Sequence, residues 1–455
     1  MSRYRVASVH KLLRNIVGIN TTNITSLARV PAVHGLVRHG FLQPWSFSPL
    51  RFCCGNHIPN INPVALQMID YALGLVRSNK TDESYAEALL VLEQGLYSQS
   101  QQGTDAATIE TTKGIVLLAI SSLLSERGNT DEAMRPLLMI QDLTSSSLGV
   151  RVAAMEALVG LNLELGLDDT SSVLADKCLK LLEHEGLETG DECGYKVFSA
   201  RSKAIKGLVE LVHGDIESAK VFFEGCQDEN CIGNASLSYG EFLHAKRDFN
   251  AAKELYQKAI AESSEKKDFS DPYDFGACNM SLQDVLLAAT CALGQLESHL
   301  GNFSDAEELM SKALKKAEEH FGTHHPKVGT VLTCIALMYQ QKSTAERSSS
   351  LLIQEGLYRK AIGLLKAPAL ETDDAEANLE HVREDVDKRD IVALARGGYG
   401  DVLCVQQKRN VEGERMKKWA EVWWRNRRLS LAEALDMSES SSKVMVVDTR
   451  ICRAL

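Results

Sequence analysis

The residue types that perform catalysis do not form a recognisable motif in this 455-residue sequence. It contains no GxxxxGK[ST] phosphate-binding loop, no HExxH zinc helix, no GxSxG nucleophile turn and no GxGxxG run after a strand. Gly397, Gly398 and Gly400 invite comparison with a phosphate loop. They lie, however, in a helical pattern, DIVALARGGYGDVLCVQQ, where small residues permit close helix packing. We therefore predict no enzyme activity, no catalytic residue and no cofactor.

Three histidines, His320, His324 and His325, are close enough in sequence to be considered as metal ligands. No cysteine or convergent carboxylate motif accompanies them, and Pro326 marks the start of a helix directly afterwards. The 11 cysteines include no CxxC pair, and most of them lie in apolar helical patterns. The sequence therefore predicts no metal site, and it predicts buried thiols that are not in disulfides.

Cations and tryptophans are concentrated near the end of the sequence, in RMKKWAEVWWRNRRLSLAEAL. A helix here could cap a helical stack by burying Trp419 and Trp423 and turning its cations to solvent. It could instead contact an acidic partner or the chain's own acidic stretch at 371–390. A membrane surface or RNA is a third alternative, since aromatic and cationic groups suit both. The candidate contact patch consists of Lys417, Lys418, Trp419, Trp423, Trp424, Arg425 and Arg428.

The first 54 residues contain seven basic residues and no acidic one. Within 3–18, Val6, Val9, Leu12, Leu13 and Ile16 fall on one side of a helix, with basic groups opposite. An apolar stripe combined with positive charge is typical of an organelle presequence, which the membrane potential draws inward; a disordered basic tail is the alternative. We predict a presequence at 1–54 and a mitochondrial location, with the plastid as the alternative.

The remainder of the chain is acidic. Without residues 1–54 it has 43 basic and 61 acidic residues, a net charge of −18. Such a body repels phosphate backbones, which disfavours nucleic acid as a partner. No apolar run reaches the roughly 18 residues of a membrane-spanning helix, so we predict no transmembrane segment and treat a membrane surface as a minor alternative.

The body of the sequence reads as helix pairs that repeat a local signature. The clearest copy is ALGQLESHLGNFSDAEELMSKALKKA, in which Gly294 would let two antiparallel helices approach and Gly301 would end the first of them. Copies upstream carry Gly207 and Gly240, which are 33 residues apart, with Arg247 where the second glycine is expected. Such a pattern predicts stacked helix hairpins, because an isolated pair cannot bury its apolar face.

These residues resemble the tetratricopeptide repeat family over roughly 60–400, most closely over 193–365. The segment EEHFGTHHPKVGTVLTCIALMY is similar to the longer repeats of kinesin light chain, and the chain looks like kinesin-light-chain-like proteins of plant organelles. The resemblance implies an all-α, right-handed superhelical solenoid of antiparallel helix pairs with a concave groove. It implies protein binding and leaves the partner open.

The repeats also divide the chain. We predict degenerate repeats at 60–190 and the best-formed repeats at 193–368, with insertions at 263–276 and 342–350. An acidic linker at 369–388 would lead to a C-terminal helical pair or cap at 389–436. Residues 437–455 would form a tail, with KVMVVDTRICRAL as a short extended end.

The resemblance implies which side chains line the groove. Some family members hold chaperone tails with lysines, but this sequence has Leu237, Cys291 and Thr333 at those positions, which argues against that ligand. The groove residues that we expect are Asn234, Glu241, His244, Gln295, Ser298, His299, Thr330 and Gln340. They are polar and nearly neutral, which suits an extended peptide or a partner helix, unless they are simply solvated surface.

The sequence thus favours a non-catalytic scaffold or assembly factor that binds a protein partner. The alternative is an RNA-associated helical-repeat protein that uses the basic and aromatic C-terminal helix. The expected groove lacks the positive charge that RNA-reading repeats place along their concave face.

Overall fold

A computed structural model of the protein describes residues 61–98, 105–185, 192–226, 230–370, 389–406, 408–436 and 443–455. All of these lie in one unit, Ile58–Leu455. The predicted presequence at 1–54 lies outside the described residues, as do 371–388 of the predicted acidic linker and 437–442.

Seventeen α-helices are found among the described residues, and the first sixteen form eight successive hairpins. The hairpins are α1 Pro63–Asn79 with α2 Asp82–Ser98, α3 Ala106–Glu126 with α4 Thr130–Gln141, α5 Leu148–Glu164 with α6 Asp168–Glu185, α7 Glu192–Val212 with α8 Ile216–Glu224, α9 Asn234–Ala245 with α10 Phe249–Glu265, α11 Leu282–His299 with α12 Phe303–Phe321, α13 Pro326–Ala345 with α14 Leu351–Leu364, and α15 Arg389–Cys404 with α16 Asn410–Trp423. The short helix α17, Leu431–Leu435, packs on α15.

The hairpins stack as a solenoid. The first helix of each pair also contacts the first helix of the next pair, as with α3 and α5 or α11 and α13. These inner helices are apolar around most of their circumference and bury nearly every residue, whereas outer helices such as α12 bury one face only. The predicted all-α class is therefore confirmed, and strands account for very few of the described residues.

Close contact inside the hairpins explains why small residues recur at the same position of the repeats. A Cβ atom on Gly240 would lie 2.8 Å from the ring of Tyr256, and one on Gly294 would lie 2.8 Å from the side chain of Met310. Because real Cβ atoms do not approach other atoms so closely, these positions exclude larger residues unless the helices separate.

The turn between the helices of a pair requires a left-handed backbone. Gly301 adopts φ +78° after α11, as the signature predicts. Arg247 occupies the equivalent turn after α9 and also has a positive φ, +67°, which costs an L-residue with a side chain about 1 kcal/mol or more.

The first of the two segments that the sequence marks as non-repeat packs against the inner helices. The predicted insertion at 263–276 begins inside α10 and includes the 3₁₀ turn Pro272–Asp274; a second 3₁₀ turn, Cys278–Met280, follows it. These turns pack on α3, α5 and α7. Residues 342–345 of the other predicted insertion belong to α13.

Residues 443–455 form a small antiparallel hairpin of β1, Val447–Asp448, and β2, Arg453–Ala454. Val444 to Leu455 are all at most 8% exposed. The segment KVMVVDTRICRAL, which the sequence predicts as a short extended end, is thus a paired hairpin whose apolar run is covered by helices rather than by solvent.

One helix, α3, is long and apolar enough to cross a membrane by length and composition, contrary to the sequence-based expectation. About 67% of its most apolar window is buried inside the fold. Its apolar circumference is explained by packing, since α1, α5 and the turn at Cys278–Met280 contact it in addition to its hairpin partner α4.

Candidate peptide-binding groove

The inner face of helices α9, α11 and α13 holds the hairpin 443–455, which we call the C-terminal segment. Its two strands pair Val447 with Ala454 and Asp448 with Arg453. The amide of Leu455 donates to the carbonyl of Val446 at 2.7 Å. The backbone hydrogen bonds of this ladder are thus internal to the segment.

Gln295, in the middle of α11, binds the backbone of the C-terminal segment with both ends of its side-chain amide. Its Nε2 donates to the carbonyl of Val447 at 2.9 Å, and its Oε1 accepts the amide N–H of the same residue at 2.8 Å. A backbone contact of this kind does not depend on which side chain the bound residue carries. Gln295 therefore acts as a general anchor for an extended chain.

Arg450, in the turn of the hairpin, is fully buried and makes the specific contacts. Its guanidinium donates to Asn234 Oδ1 at 2.9 Å, to Ser238 Oγ at 3.0 Å and to Glu241 Oε2 at 2.7 Å, all on α9. It also donates to Asp448 of its own segment, at 2.9 Å from Nη2 to Oδ2. The planar, multidentate guanidinium is well suited to such a cradle.

Two carboxylates share this one cation. Burial and the neighbouring negative charge of Asp448 raise the pKa of Glu241 well above its ordinary value, and the attraction of Arg450 only partly offsets them. Arg450 therefore lies between two carboxylates, Glu241 at 2.7 Å and Asp448 at 2.9 Å, and the charge of Asp448 opposes the ionisation of Glu241.

Arg453 connects the C-terminal segment to distant parts of the solenoid. Its guanidinium donates to Asp390 of α15 at 2.7 Å, to Asp168 of α6 at 2.9 Å and to the carbonyl of Leu163 at 3.0 Å. Arg428 completes the frame by donating to the carbonyl of Leu455 at 2.6 Å and to that of Val444. The segment therefore bridges helices that are far apart in sequence.

The predicted groove residues differ in whether they contact the C-terminal segment. Asn234, Glu241, Gln295 and Thr330 contact the C-terminal segment, Thr330 through Cys452 Sγ at 3.5 Å. Ser298 and His299 line a small cavity beside Met445. His244 lies behind this cavity, with its Nε2 2.9 Å from His299 Nδ1. Gln340 lies apart and accepts a hydrogen bond from the hydroxyl of Tyr358.

The two groove histidines are electrically neutral at physiological pH. Burial lowers the pKa of His299 to about 4. Burial together with nearby positive charge lowers the pKa of His244 well below its ordinary value. Their ring nitrogens hydrogen-bond to each other and to the hydroxyl of Tyr256. They therefore add polar but uncharged surface to the groove.

Sequence reasoning missed Ser238, Asp168 and Asp390 on the solenoid, and it missed Asp448, Arg450 and Arg453 of the C-terminal segment. The available signal was the apolar run VMVV followed by DTRICR. A strand-forming apolar run must be buried, and the charges that directly follow it are then buried with it and must be paired. A solvated tail contains no such apolar run.

The predicted C-terminal contact patch is largely engaged within the fold. Trp423 and Trp424 are buried, and Trp419 stacks on Trp423 at 5.2 Å between ring centroids. The guanidinium of Arg396 lies 3.8 Å above the ring of Trp419. Trp423 is therefore buried, as a capping helix requires, whereas Trp419 is half-buried.

The cations of that patch divide between internal pairs and the surface. Lys417 pairs with Asp401 at 3.1 Å, and Arg428 holds the C-terminal segment. Lys418 and Arg425 have exposed side chains. The patch therefore does not present all seven predicted residues as one continuous surface.

The eight cysteines whose side chains the structure describes are free, and seven of them are buried. Burial raises the pKa of Cys178, Cys226 and Cys278 to about 12, so these thiols stay protonated. The prediction of buried free thiols is confirmed for these residues. His320 lies 3.4 Å from the carboxylate of Glu126, and no group of three or more metal-ligating side chains occurs among the described residues.

Comparison with known proteins supports the repeat assignment. Residues 286–327, which span most of α11, all of α12 and the start of α13, match the family model described as tetratricopeptide repeat. No sequence among the curated proteins compared matches this chain.

Solved structures with general similarity include BtubC (BKLC) from P. vanneervenii, which is 12% identical with a TM-score of 0.38; the match covers 56% of this chain and 90% of that one. Yeast Tom70 is 14% identical with a TM-score of 0.26, and the match covers 82% of this chain and 95% of that one.

Proposed function

We propose that this chain, a tetratricopeptide repeat protein, is a non-catalytic scaffold or assembly factor. In this proposal it binds an extended segment of a partner protein in the groove of α9, α11 and α13. The observation that carries the proposal is the two-ended contact between Gln295 and the backbone of Val447. It supports a groove able to hold an extended chain at its inner face. Repeat solenoids commonly use such concave surfaces for binding.

The proposal includes a location. The basic, acid-free residues 1–54 favour import into mitochondria, with the plastid as the alternative. The net charge of −18 for the remaining residues supports a protein partner over nucleic acid. The RNA alternative gains no specific support, because the two tryptophans best suited to stacking, Trp423 and Trp424, are buried.

Affinity purification from isolated mitochondria tests this function. The tagged protein would be purified with and without nuclease treatment, alongside the variants Gln295→Leu and Gln340→Leu. Gln295 contacts the bound segment and Gln340 does not, so the pair is matched in residue type. We expect a defined set of partners that survives nuclease, is lost in Gln295→Leu and is kept in Gln340→Leu.

Other results would reject the function. Partners that disappear after nuclease treatment would favour the RNA alternative. Equal recovery with Gln295→Leu and the wild type would exclude the groove as the binding surface.

A further inference from the structure

The C-terminal segment shows the chemistry that the groove accepts. Resting on the function proposed above, we propose that the partner supplies a segment of the same chemistry, an extended apolar strand followed by a turn in which an acidic residue precedes an arginine by two positions. We further propose that residues 443–455 compete with this partner segment for the groove. The occupied groove is thus the closed state of an interaction site.

The arginine requirement follows from the cradle. Asn234, Ser238 and Glu241 converge on one guanidinium from a single helix. A lysine could not satisfy three acceptors in this planar arrangement, because its ammonium is a compact point charge. A neutral side chain would leave these acceptors buried without a donor, which strongly disfavours binding.

The acidic residue follows from the same geometry. Asp448 accepts hydrogen bonds from both the backbone N–H and the guanidinium of Arg450, at 2.8 Å and 2.9 Å. It therefore shapes the turn and presents the arginine to α9. A partner would need its own acidic residue in the same register, since the groove itself does not provide one at that position.

Several observations support a separable ligand. The hydrogen bonds of the hairpin ladder lie within the segment. Each polar contact described between the segment and the solenoid involves at least one side chain, as with Gln295 and Arg450. The helix hairpins therefore keep their own backbone hydrogen bonds when the segment leaves. Water can then reach the polar side chains of α9, so departure would not leave their charges buried.

Competition from within the same chain is strong because a tethered ligand has an effective concentration of about millimolar. Only six residues, 437–442, separate Asp436, directly after α17, from the C-terminal segment. A free partner segment of equal intrinsic affinity would therefore bind poorly to the intact chain. Cutting this connection would remove the advantage without removing any contact.

The experiment uses the full chain with a protease recognition sequence placed within 437–442. A fluorescent peptide of residues 443–455 is added before and after cleavage, and its anisotropy is measured. We expect binding to tighten by at least about 100-fold after the cut. Unlabelled wild-type peptide should compete, whereas peptides with Arg450→Ala or Asp448→Ala should compete at least about 100-fold and about 10-fold more weakly, respectively.

A peptide with Arg450→Lys serves as the conservative control and should also compete weakly, which separates guanidinium recognition from charge alone. If the cleaved chain keeps its helical circular dichroism but never exchanges its segment, the segment is a permanent part of the fold and the proposal is wrong. Competition by Arg450→Ala equal to wild type would equally overturn it. Neither result depends on mitochondrial partners, so failure here is distinguishable from failure of the proposed scaffold function.

Discussion

Arg450 and Glu241 illustrate how a single residue pair can decide both binding and stability. Both side chains are 0% exposed, so neither charge is screened by solvent. Isolated buried ions are costly, and the free energy of the pair depends on the hydrogen bonds that surround it. Here Asn234 and Ser238 supply these bonds on one side and Asp448 on the other. The site is therefore sensitive to the protonation of Glu241.

We predict that the wild-type protein loses stability as the pH rises above about 4.5, because the pKa of Glu241 is raised in the folded state. A raised pKa stabilises the fold fully below the unfolded value, and this contribution disappears as the pH rises through the folded value. The groups facing Glu241 are Asp448 and Arg450 of the C-terminal segment and Tyr256 of α10. Glu241→Gln removes the titration while keeping an acceptor for Arg450.

The measurement is urea unfolding of both proteins between pH 5 and pH 8.5. The stability advantage of Glu241→Gln over the wild type should be smallest at pH 5 and should grow as the pH rises, because the wild type must then ionise a buried carboxyl. A difference that is constant across this range would contradict the prediction.

Arg247 gives a second residue-scale prediction. Its φ of +67° is strained for a residue with a side chain, and the repeat signature places glycine there. Arg247→Gly should raise the free energy of unfolding by about 1 kcal/mol. Gly301→Ala is the matched opposite, because Gly301 has φ +78° and no neighbouring atom within 4 Å of an added Cβ. It should lower stability by about 1 kcal/mol through strain alone. Equal signs for the two variants in thermal or urea unfolding would refute the backbone explanation.

At the scale of elements, the loop after α10 behaves as an internal ligand of the N-terminal repeats. Arg201 of α7 donates to the carbonyls of Tyr273 and Phe275, at 2.8 Å and 2.6 Å, and pairs with Glu156 of α5. The side chain of Asn279 is fully buried and donates to Glu164 at 3.2 Å. The loop is thus fixed to the inner helices by buried polar contacts as well as by apolar packing.

We predict that Gly160→Ala displaces this loop and destabilises the protein by about 1–3 kcal/mol. The added Cβ would lie 2.5 Å from Asn279 Oδ1 and 2.5 Å from Met280 Cε. Gly74→Ala is the matched control in α1, where no atom lies within 4 Å of the new Cβ. It should stabilise by about 0.5–1 kcal/mol through helix propensity. Urea unfolding measures both changes, and hydrogen exchange of residues 277–281 should increase in Gly160→Ala only. A neutral Gly160→Ala would show that the loop adapts freely.

The helix pairs could be predicted from the sequence because their determinants are local. Gly294 and Gly301 lie within one pair, and the same residue types recur about one repeat away. The loop and the C-terminal segment could not be placed in this way. Arg450 finds its partner Glu241 across 209 residues, and Arg453 finds Asp168 across 285. Pairings over such separations leave no periodic signal, so the sequence indicates a short extended end without indicating the residues with which it pairs.

The same reasoning explains the mixed outcome for the groove. The resemblance implies that Asn234, Gln295 and Thr330 line the groove, and these three residues contact the C-terminal segment. What covers that face could not be inferred, because a solenoid groove looks identical in sequence whether it is empty or filled. Inner helices contact the chain's own inserted segments, such as the turn at Cys278–Met280, as well as neighbouring repeats.

At the scale of the whole molecule, charge is divided between a basic N-terminal region and an acidic body. Residues 1–54 carry seven basic and no acidic side chains, while the remainder has a net charge of −18. A membrane potential that is negative inside the mitochondrial matrix attracts the first region and repels the second, by about 2.3 kcal/mol per charge for each 100 mV. Under the proposed mitochondrial location, import would therefore depend on the N-terminal charges entering first.

We predict that the full-length protein is imported into isolated mitochondria only when the membrane potential is intact. Replacing Arg3, Arg5, Lys11 and Arg14 with glutamine should reduce import at least about tenfold, because four of the seven charges that couple to the potential are removed. The control replaces Arg415, Lys418, Arg425 and Arg427, four cations with exposed side chains in the C-terminal part, and should be imported normally. Protease protection of radiolabelled protein measures both variants. Equal import of the two variants, or import after the membrane potential is dissipated, would refute the presequence and favour another compartment. Loss of import in the N-terminal variant alone would support the mitochondrial location from which the partners are to be purified.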